Sequence, residues 1–208
     1  MNTRHFFVLL GCMLGLAQLS AAQGVSYTGE AAVANVNVLG VLNASIEDTG
    51  PLPYYGGSLS TELLSLNVPN LLDLNLLSAS TDGENRQTNS AASVTEVTLT
   101  AAGVNITASV LTSNASASCA PAVSGTSTIV GLKVNGLSVK VTGAPNQTIP
   151  LLVGSLIINE QISSVVDTPE LVSADMLVNA LHLKVLGIAD VVISSSHAGV
   201  SCPVEVLQ

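Results

Sequence analysis

GLKVNGLSVKV, residues 131–141, carries the clearest folding signal in the chain. Apolar and polar residues alternate on both sides of Asn135-Gly136, and this alternation is the period of a half-buried β-strand. An Asn-Gly pair supplies both positive-φ positions of a two-residue type I′ turn. The stretch is therefore predicted to form a β-hairpin in which Val134 lies opposite Leu137.

The same alternation recurs on both sides of this hairpin. Five further segments show it: 64–68, 72–77, 104–110, 156–162 and 181–186. Gly, Pro, Asn and Ser separate the segments, at the spacing typical of a sandwich or barrel. The predicted fold class is all-β, an antiparallel β-sandwich of about a dozen short strands with little helix. An irregular β-barrel or β-solenoid is the alternative.

Some local features carry more specific predictions. In the segment 72–77, Leu72, Leu74 and Leu76 are predicted to point to one side of a strand. Three Gly-centred stretches, around residues 40, 103 and 187, are interpreted as strand–kink–strand units, each with a bulge or a tight bend. Residues 167–170 could begin a single turn of helix, because Pro is accepted in a first turn.

The N-terminus has the pattern of a secretory signal peptide. Arg4 precedes an apolar run over residues 6–19, and small residues follow up to Ala22, so cleavage is predicted before Gln23. The run is too short to span a bilayer, which needs roughly 20 apolar residues. A lipoprotein signal ending at Cys12 is the alternative, but the apolar run continues beyond that cysteine.

The predicted organisation is a signal peptide over 1–22 and a single β domain over 23–208. Once Arg4 is removed, four basic residues stand against 14 acidic ones, a formal charge of −10. This balance excludes nucleic acid as a partner, because little could neutralise a phosphate backbone. No second segment reaches membrane-spanning length, and no sorting motif is expected in the tail. The predicted location is secreted or at the extracellular surface.

Two cysteines remain after the predicted cleavage, Cys119 and Cys202. In an exported chain, an even number of cysteines favours a disulfide. Two free buried thiols are the alternative. We predict a structural cross-link, whose 83-residue loop would stabilise the fold by roughly 4–5 kcal/mol in the loop-entropy model.

No catalytic, metal or cofactor site is predicted. The mature chain has two histidines, His182 and His197, and the serine run beside His197 lacks a nucleophile-elbow motif. The stretch Asp82–Asn85 resembles a calcium loop only faintly, without its regular ligand spacing. Tyr54 and Tyr55 are among the few aromatic residues able to stack a ligand. Their convergence with two carboxylates would favour a carbohydrate site.

Two further features of the sequence concern glycosylation and surface binding. Four N-glycosylation sequons occur, and they matter only in a host that glycosylates secreted chains. Their acceptors are Asn43, Asn105, Asn114 and Asn146. Hydroxyl-rich strands such as the one around Thr98 and Thr100 raise an ice- or surface-binding hypothesis, which needs a regular array over several rungs.

A set of motifs along the mature chain resembles one family. These motifs are ELLSLNVP (62–69), GTSTIVGLKVNG (125–136), APNQTI (144–149), INEQ (158–161), NALH (179–182), DVVI (190–193) and HAGVSC (197–202). Together they resemble the choice-of-anchor P family of exported bacterial β-rich proteins.

The resemblance implies export and, often, attachment through a C-terminal sorting signal, and the two mature cysteines lie where it expects them. It implies no established activity. Asn159, Glu160 and His182 match motif positions without an assigned role, and a functional cluster of the three is a hypothesis.

These observations predict a secreted, non-enzymatic structural or interaction protein. Its predicted partner is an extracellular protein or polysaccharide. A secreted carbohydrate-binding or hydrolytic domain is the alternative.

Overall fold

The computed structural model describes residues 24–204. The predicted signal peptide, residues 1–22, lies outside the described residues. Residues 24–204 form thirteen β-strands and no helix. None of them therefore belongs to a helix that could cross a membrane.

The strands form two antiparallel sheets. The first contains β1 (Ser26–Val38), β2 (Leu42–Asp48), β10 (Gln147–Leu151), β11 (Gly154–Asp167), β12 (Leu171–Val185) and β13 (Ala189–Pro203). The second contains β3 (Gly57–Val68), β4 (Leu72–Glu84), β5 (Gln87–Ala101), β6 (Val104–Ser118), β7 (Ala122–Val130), β8 (Lys133–Val134) and β9 (Leu137–Ser138). The six-stranded sheet runs β10-β11-β12-β13-β1-β2. The seven-stranded sheet runs β3-β4-β5-β6-β8-β9, and β7 also pairs with β6.

The two sheets pack face to face, with β12, β13 and β1 over β4, β5 and β6. Neither sheet closes on itself in the described residues, so the predicted β-sandwich is confirmed over the barrel and the solenoid. The interface is aliphatic, with side chains such as Leu99, Leu183 and Ile193 entirely buried. Each such side chain stabilises the fold by about 1.5–3 kcal/mol.

The predicted hairpin at 131–141 is confirmed. Val134 pairs with Leu137, and Asn135 and Gly136 both have positive φ, at 50° and 78°. The two strands of this hairpin, β8 and β9, are only two residues long each. The main strands are longer than predicted, since β5, β6, β12 and β13 each contain 15 residues.

Part-way along the long strands, the alternation of inward-facing and outward-facing side chains shifts by one residue. In β4, Leu72 and Leu74 face the core, but Leu76 has a φ of 46° and is exposed, and the next core residue is Leu77. The prediction that Leu76 shares a face with Leu72 and Leu74 is therefore wrong. The ladder is irregular at this point, as in a β-bulge, and such an irregularity bends and twists the strand.

The three Gly-centred stretches each form a tight bend between two strands, so the tight-bend form of the prediction is confirmed and the bulge form is not found. Gly40 joins β1 to β2, Gly103 joins β5 to β6, and Gly187 joins β12 to β13; each has a φ near 70°. Residues 167–170 also form a turn between strands, in which the Thr168 backbone N–H donates to the Leu171 carbonyl at 2.9 Å. No helix begins there.

The sandwich has two different ends. At one, which we call the turn end, six short connections lie at 39–41, 69–71, 102–103, 135–136, 152–153 and 186–188. Residues next to five of these connections pack into one core cluster, among them Val38, Leu72, Ala101, Val134 and Ala189. At the other, the terminus end, Gly24 and Val204 leave the fold, and Cys119 bonds to Cys202 with a Cα–Cα distance of 5.9 Å. The predicted disulfide is confirmed.

Candidate functional site

His182 occupies the outer face of the six-stranded sheet, because its neighbours Leu181 and Leu183 face the core. The side chain is nonetheless buried. Its Nδ1 lies 2.6 Å from Glu160 Oε2, and its Nε2 lies 2.8 Å from Asp190 Oδ1. The pairing of β11, β12 and β13 brings these three residues together on adjacent strands.

Glu160 is the centre of this ionic cluster. Asn179 Nδ2 donates to its Oε2 at 2.7 Å, and Lys184 Nζ donates to its Oε1 at 3.2 Å. Burial alone raises the pKa of Glu160, but the hydrogen bonds from Asn179, His182 and Lys184, with the charge of His182, outweigh burial. The net effect holds the pKa of Glu160 below its ordinary value, so this carboxylate is ionised at neutral pH.

The hypothetical cluster of Asn159, Glu160 and His182 assembles only in part. Asn159 has a φ of 52°, and its Nδ2 donates to the Gly143 carbonyl at 3.1 Å. Its Oδ1 accepts from Gln161 Nε2 at 2.9 Å. Asn159 therefore anchors the segment before β10, and Asn179 takes the place beside Glu160.

A second cluster lies on the same face, nearer the terminus end. His197 Nε2 is 2.8 Å from Asp175 Oδ2, and Glu30 pairs with His197 across the ladder. The pKa of Glu30 is raised, first by burial and then by the charge and hydrogen bond of Asp48, against the attraction of His197. This face thus carries two histidines, each held by carboxylate.

Both histidines are held by carboxylates. Within residues 24–204, no hydroxyl hydrogen-bonds to either imidazole, and no group of three or more His, Cys, Asp or Glu side chains is placed to hold a metal ion. A catalytic base needs contact with a nucleophile or substrate. The geometry instead matches histidines that cross-link neighbouring strands.

A groove of about 750 Å³ adjoins the ionic cluster at the turn end. Its polar lining residues are Asn37, Ser155, Lys184 and Asp190, and its apolar lining includes Leu39, Val185 and the turn 186–188. Leu39 and Leu186 project from these turns with 75% and 90% of their surface exposed. Large exposed apolar patches mark interaction sites. The sequence signal was the pair of Val-Leu-Gly stretches, which were predicted as bends but not as neighbours that expose their leucines at the same end of the sandwich.

The two tyrosines lie elsewhere. Tyr54 and Tyr55 contact each other edge to face, with ring centroids 5.0 Å apart, in the loop that follows β2. The Tyr54 carbonyl accepts from the backbone of Tyr27, near the terminus end. The ladder places Tyr27 opposite Val200 and His182 opposite Val192, which separates the two sites by roughly 25 Å along the sheet. The structure does not bring the tyrosines and the ionic cluster into one cleft.

The predicted glycosylation acceptors all lie in accessible places. Asn43, Asn114 and Asn146 are exposed, and Asn105 is half-buried with its Nδ2 donating to Thr100 Oγ1 at 3.0 Å. Their glycosylation stays a prediction.

The outer face of the seven-stranded sheet carries three polar rows across β3, β4, β5, β6 and β7. The rows follow from the ladders: Ser58-Asp82-Asn89-Ser116-Ser124, Ser60-Ser80-Ala91-Asn114-Thr126 and Glu62-Ser78-Ser93-Thr112-Thr128. Sequence spacing around Thr98 and Thr100 did not reveal this array, because strand pairing creates it.

Comparison with known proteins adds no relative. No family model matches this chain, and no curated protein matches it.

Proposed function

We propose that this chain is a secreted or extracellular-surface protein that works by binding rather than by catalysis, with the turn end as its binding surface. The observation that carries the proposal is the projection of aliphatic side chains such as Leu39, Leu152 and Leu186 from the turns. Apolar side chains held in solvent cost free energy, so a surface that keeps several together is suited to a partner that covers them.

The ionic cluster supports the non-enzymatic part of the proposal. Both ring nitrogens of His182 contact carboxylates, and Glu160 is occupied by three side-chain partners. Groups bound in this way are poorly placed to exchange protons with a substrate. They stiffen the sheet behind the groove instead.

The pattern of residues 1–22 and the disulfide support export, because disulfides persist in oxidising compartments. The motifs that resemble the choice-of-anchor P family support the same location. Attachment to a cell surface would follow from membership of that family and is part of this proposal.

One experiment tests location and surface together. The protein is collected outside an exporting cell, its N-terminus is determined by mass spectrometry, and it is passed over octyl-agarose. We expect an N-terminus at Gln23 and retention that is lost when Leu152→Ser and Leu186→Ser are combined. The control is Leu64→Ser, at a side chain 79% exposed in the middle of β3 and outside the turns. Retention equal in both variants would refute the proposed surface.

Polysaccharide binding is a second candidate, favoured by the three polar rows of the seven-stranded sheet. Their hydroxyl and amide side chains suit hydrogen bonding to a sugar polymer. A glycan array compares the protein with a Thr126→Val, Asn114→Ala variant of these rows and with a Tyr54→Ala, Tyr55→Ala variant. Loss of a specific signal in the first variant alone supports the rows. Loss in the second alone assigns sugar binding to the tyrosines.

A further inference from the structure

We propose that the turn end inserts its aliphatic side chains into the surface of an electrically neutral lipid bilayer. This inference rests on the proposed function, since it names the partner that the turn end would take. It is carried by the arrangement of the turns, the pairing of their backbone and the distribution of charge.

Three turns of the six-stranded sheet lie side by side at the turn end, where they join the ends of its strands. Strand pairing places residues 152–153 beside the turn 186–188, which in turn lies beside 39–41. The Leu39 backbone N–H donates to the Ile188 carbonyl at 2.9 Å and joins two of them. Each turn points at least one large aliphatic side chain outward, and Leu152 is fully exposed.

Backbone groups in these turns are partly satisfied within the protein. The Val41 N–H donates to the Val38 carbonyl, and the Ile188 N–H donates to the Val185 carbonyl, each at 3.0 Å. Unpaired backbone polar groups cost several kcal/mol in a hydrocarbon medium. Turns that pair their own N–H groups reduce this cost, so these tips suit shallow burial at the boundary between head groups and acyl chains.

The charges favour a neutral surface. Near the turn end, Lys133 and Lys184 stand against Asp73, Asp190 and the Glu160 carboxylate that Lys184 contacts at 3.2 Å, so charges of both signs lie there without a large excess of either. Acidic residues gather at the opposite end and along the terminus-end half, among them Glu30, Asp48, Asp82, Glu84, Asp167, Glu170 and Asp175. A chain with a formal charge of −9 is repelled by anionic lipid. A zwitterionic head group offers phosphate to the lysines without that repulsion.

A second copy of the chain is the competing occupant. Two copies meeting at their turn ends would form an isologous contact, in which each presents the same projections to the other. Filling the groove of about 750 Å³ beside Leu39 and Leu186 then requires that the rigid projections of one copy fit the groove of the other. A fluid acyl layer moulds to separate projections without that requirement.

The test is flotation of the exported protein with phosphatidylcholine vesicles, alone and with phosphatidylglycerol added. We expect the protein to float with phosphatidylcholine. Leu152→Ser combined with Leu186→Ser should lower the partition constant roughly a hundredfold, since transferring one leucine side chain changes an equilibrium about tenfold or more. The matched control combines Leu64→Ser with Tyr55→Ser, which alters two exposed side chains outside the six connections of the turn end and should change nothing. Added phosphatidylglycerol should weaken binding, and salt should reverse that loss.

Several results would overturn the inference. Absence of flotation is one, and equal losses in the test and control variants are another. A wild-type dimer in light scattering that becomes monomeric in the Leu152→Ser, Leu186→Ser variant would assign the surface to a second copy. Val41→Ser serves as an independent turn-end variant if the double variant does not fold by circular dichroism. Retention on octyl-agarose without flotation would reject the bilayer and leave the proposed function intact.

Discussion

Five residues other than glycine hold a positive φ inside a strand: Glu47, Leu76, Glu96, Asn159 and Ser194. Such a conformation costs a residue with a Cβ roughly 1–2 kcal/mol, so the surrounding sheets must impose it. At Ser194 the compensation is visible, because its Oγ donates to the Ala92 carbonyl across the sandwich at 2.9 Å. After Ser194 the alternation along β13 shifts by one residue, so that Ser196 and Ala198 face the core.

At the same scale, Glu160 stabilises the fold in a pH-dependent way. Glu160→Gln removes charged hydrogen bonds to Asn179, His182 and Lys184, so we expect unfolding at neutral pH to become easier by about 2 kcal/mol. Because the pKa of Glu160 is lower in the folded state, its contribution is present above the ordinary glutamate pKa of about 4.3 and is lost as the pH falls through the lowered value. The difference between wild type and variant should therefore shrink below about pH 4.

Urea unfolding of both proteins across this pH range measures the effect. Exposed Glu84→Gln, at the terminus end, is the control and should change stability little at either pH. A destabilisation by Glu160→Gln that is the same at acid and neutral pH would show that packing, and not ionisation, accounts for the loss.

At the scale of elements, local sequence was informative where a turn used favoured residues. Asn135-Gly136 fixed the register of its hairpin because both positions require a positive φ, which Asn and Gly adopt readily. Leu76 gave no such sign, since leucine rarely adopts a positive φ and the neighbouring leucines fitted a simple alternation. Strand pairing imposes that conformation, and it was not predictable from the segment alone.

The disulfide joins elements from the two sheets at the terminus end. Cys119 follows β6 and Cys202 lies near the end of β13. Closing this 83-residue separation restricts the unfolded chain, so combining Cys119→Ala with Cys202→Ala should lower the free energy of unfolding by about 4–5 kcal/mol.

Guanidinium unfolding of the oxidised protein, the reduced protein and the double variant measures this loss. The reduced wild type is the matched control, because it keeps the volume of the fully buried Cys202 side chain. If reduction leaves the transition unchanged, the cross-link does not contribute to stability.

At the scale of the whole molecule, the fold class followed from alternation and composition, but the candidate site did not. Glu160, His182 and Asp190 lie on three strands and meet only through the ladder. The turn end likewise combines stretches far apart in sequence, whose glycines indicated bends but not that the bends lie side by side. One sequence without strand pairing therefore predicts the layers of this sandwich and leaves its surfaces undetermined.

The first and last strands are neighbours in the open six-stranded sheet, because β1 pairs with β13 and Ser26 lies opposite Ser201. The two ends of the domain are therefore close enough to join through a short linker, and the exposed segment at Ala144 and Pro145 is a suitable place for new termini. A permuted chain starting at Pro145 should form the same disulfide and the same β-type circular dichroism spectrum, with a thermal midpoint lower by a few degrees.

Deleting residues 189–208 should instead abolish cooperative unfolding, since the loss of β13 leaves β1 and β12 without their shared neighbour. A truncated chain that unfolds as sharply as the permuted one would show that the six-stranded sheet does not depend on the pairing of β1 with β13.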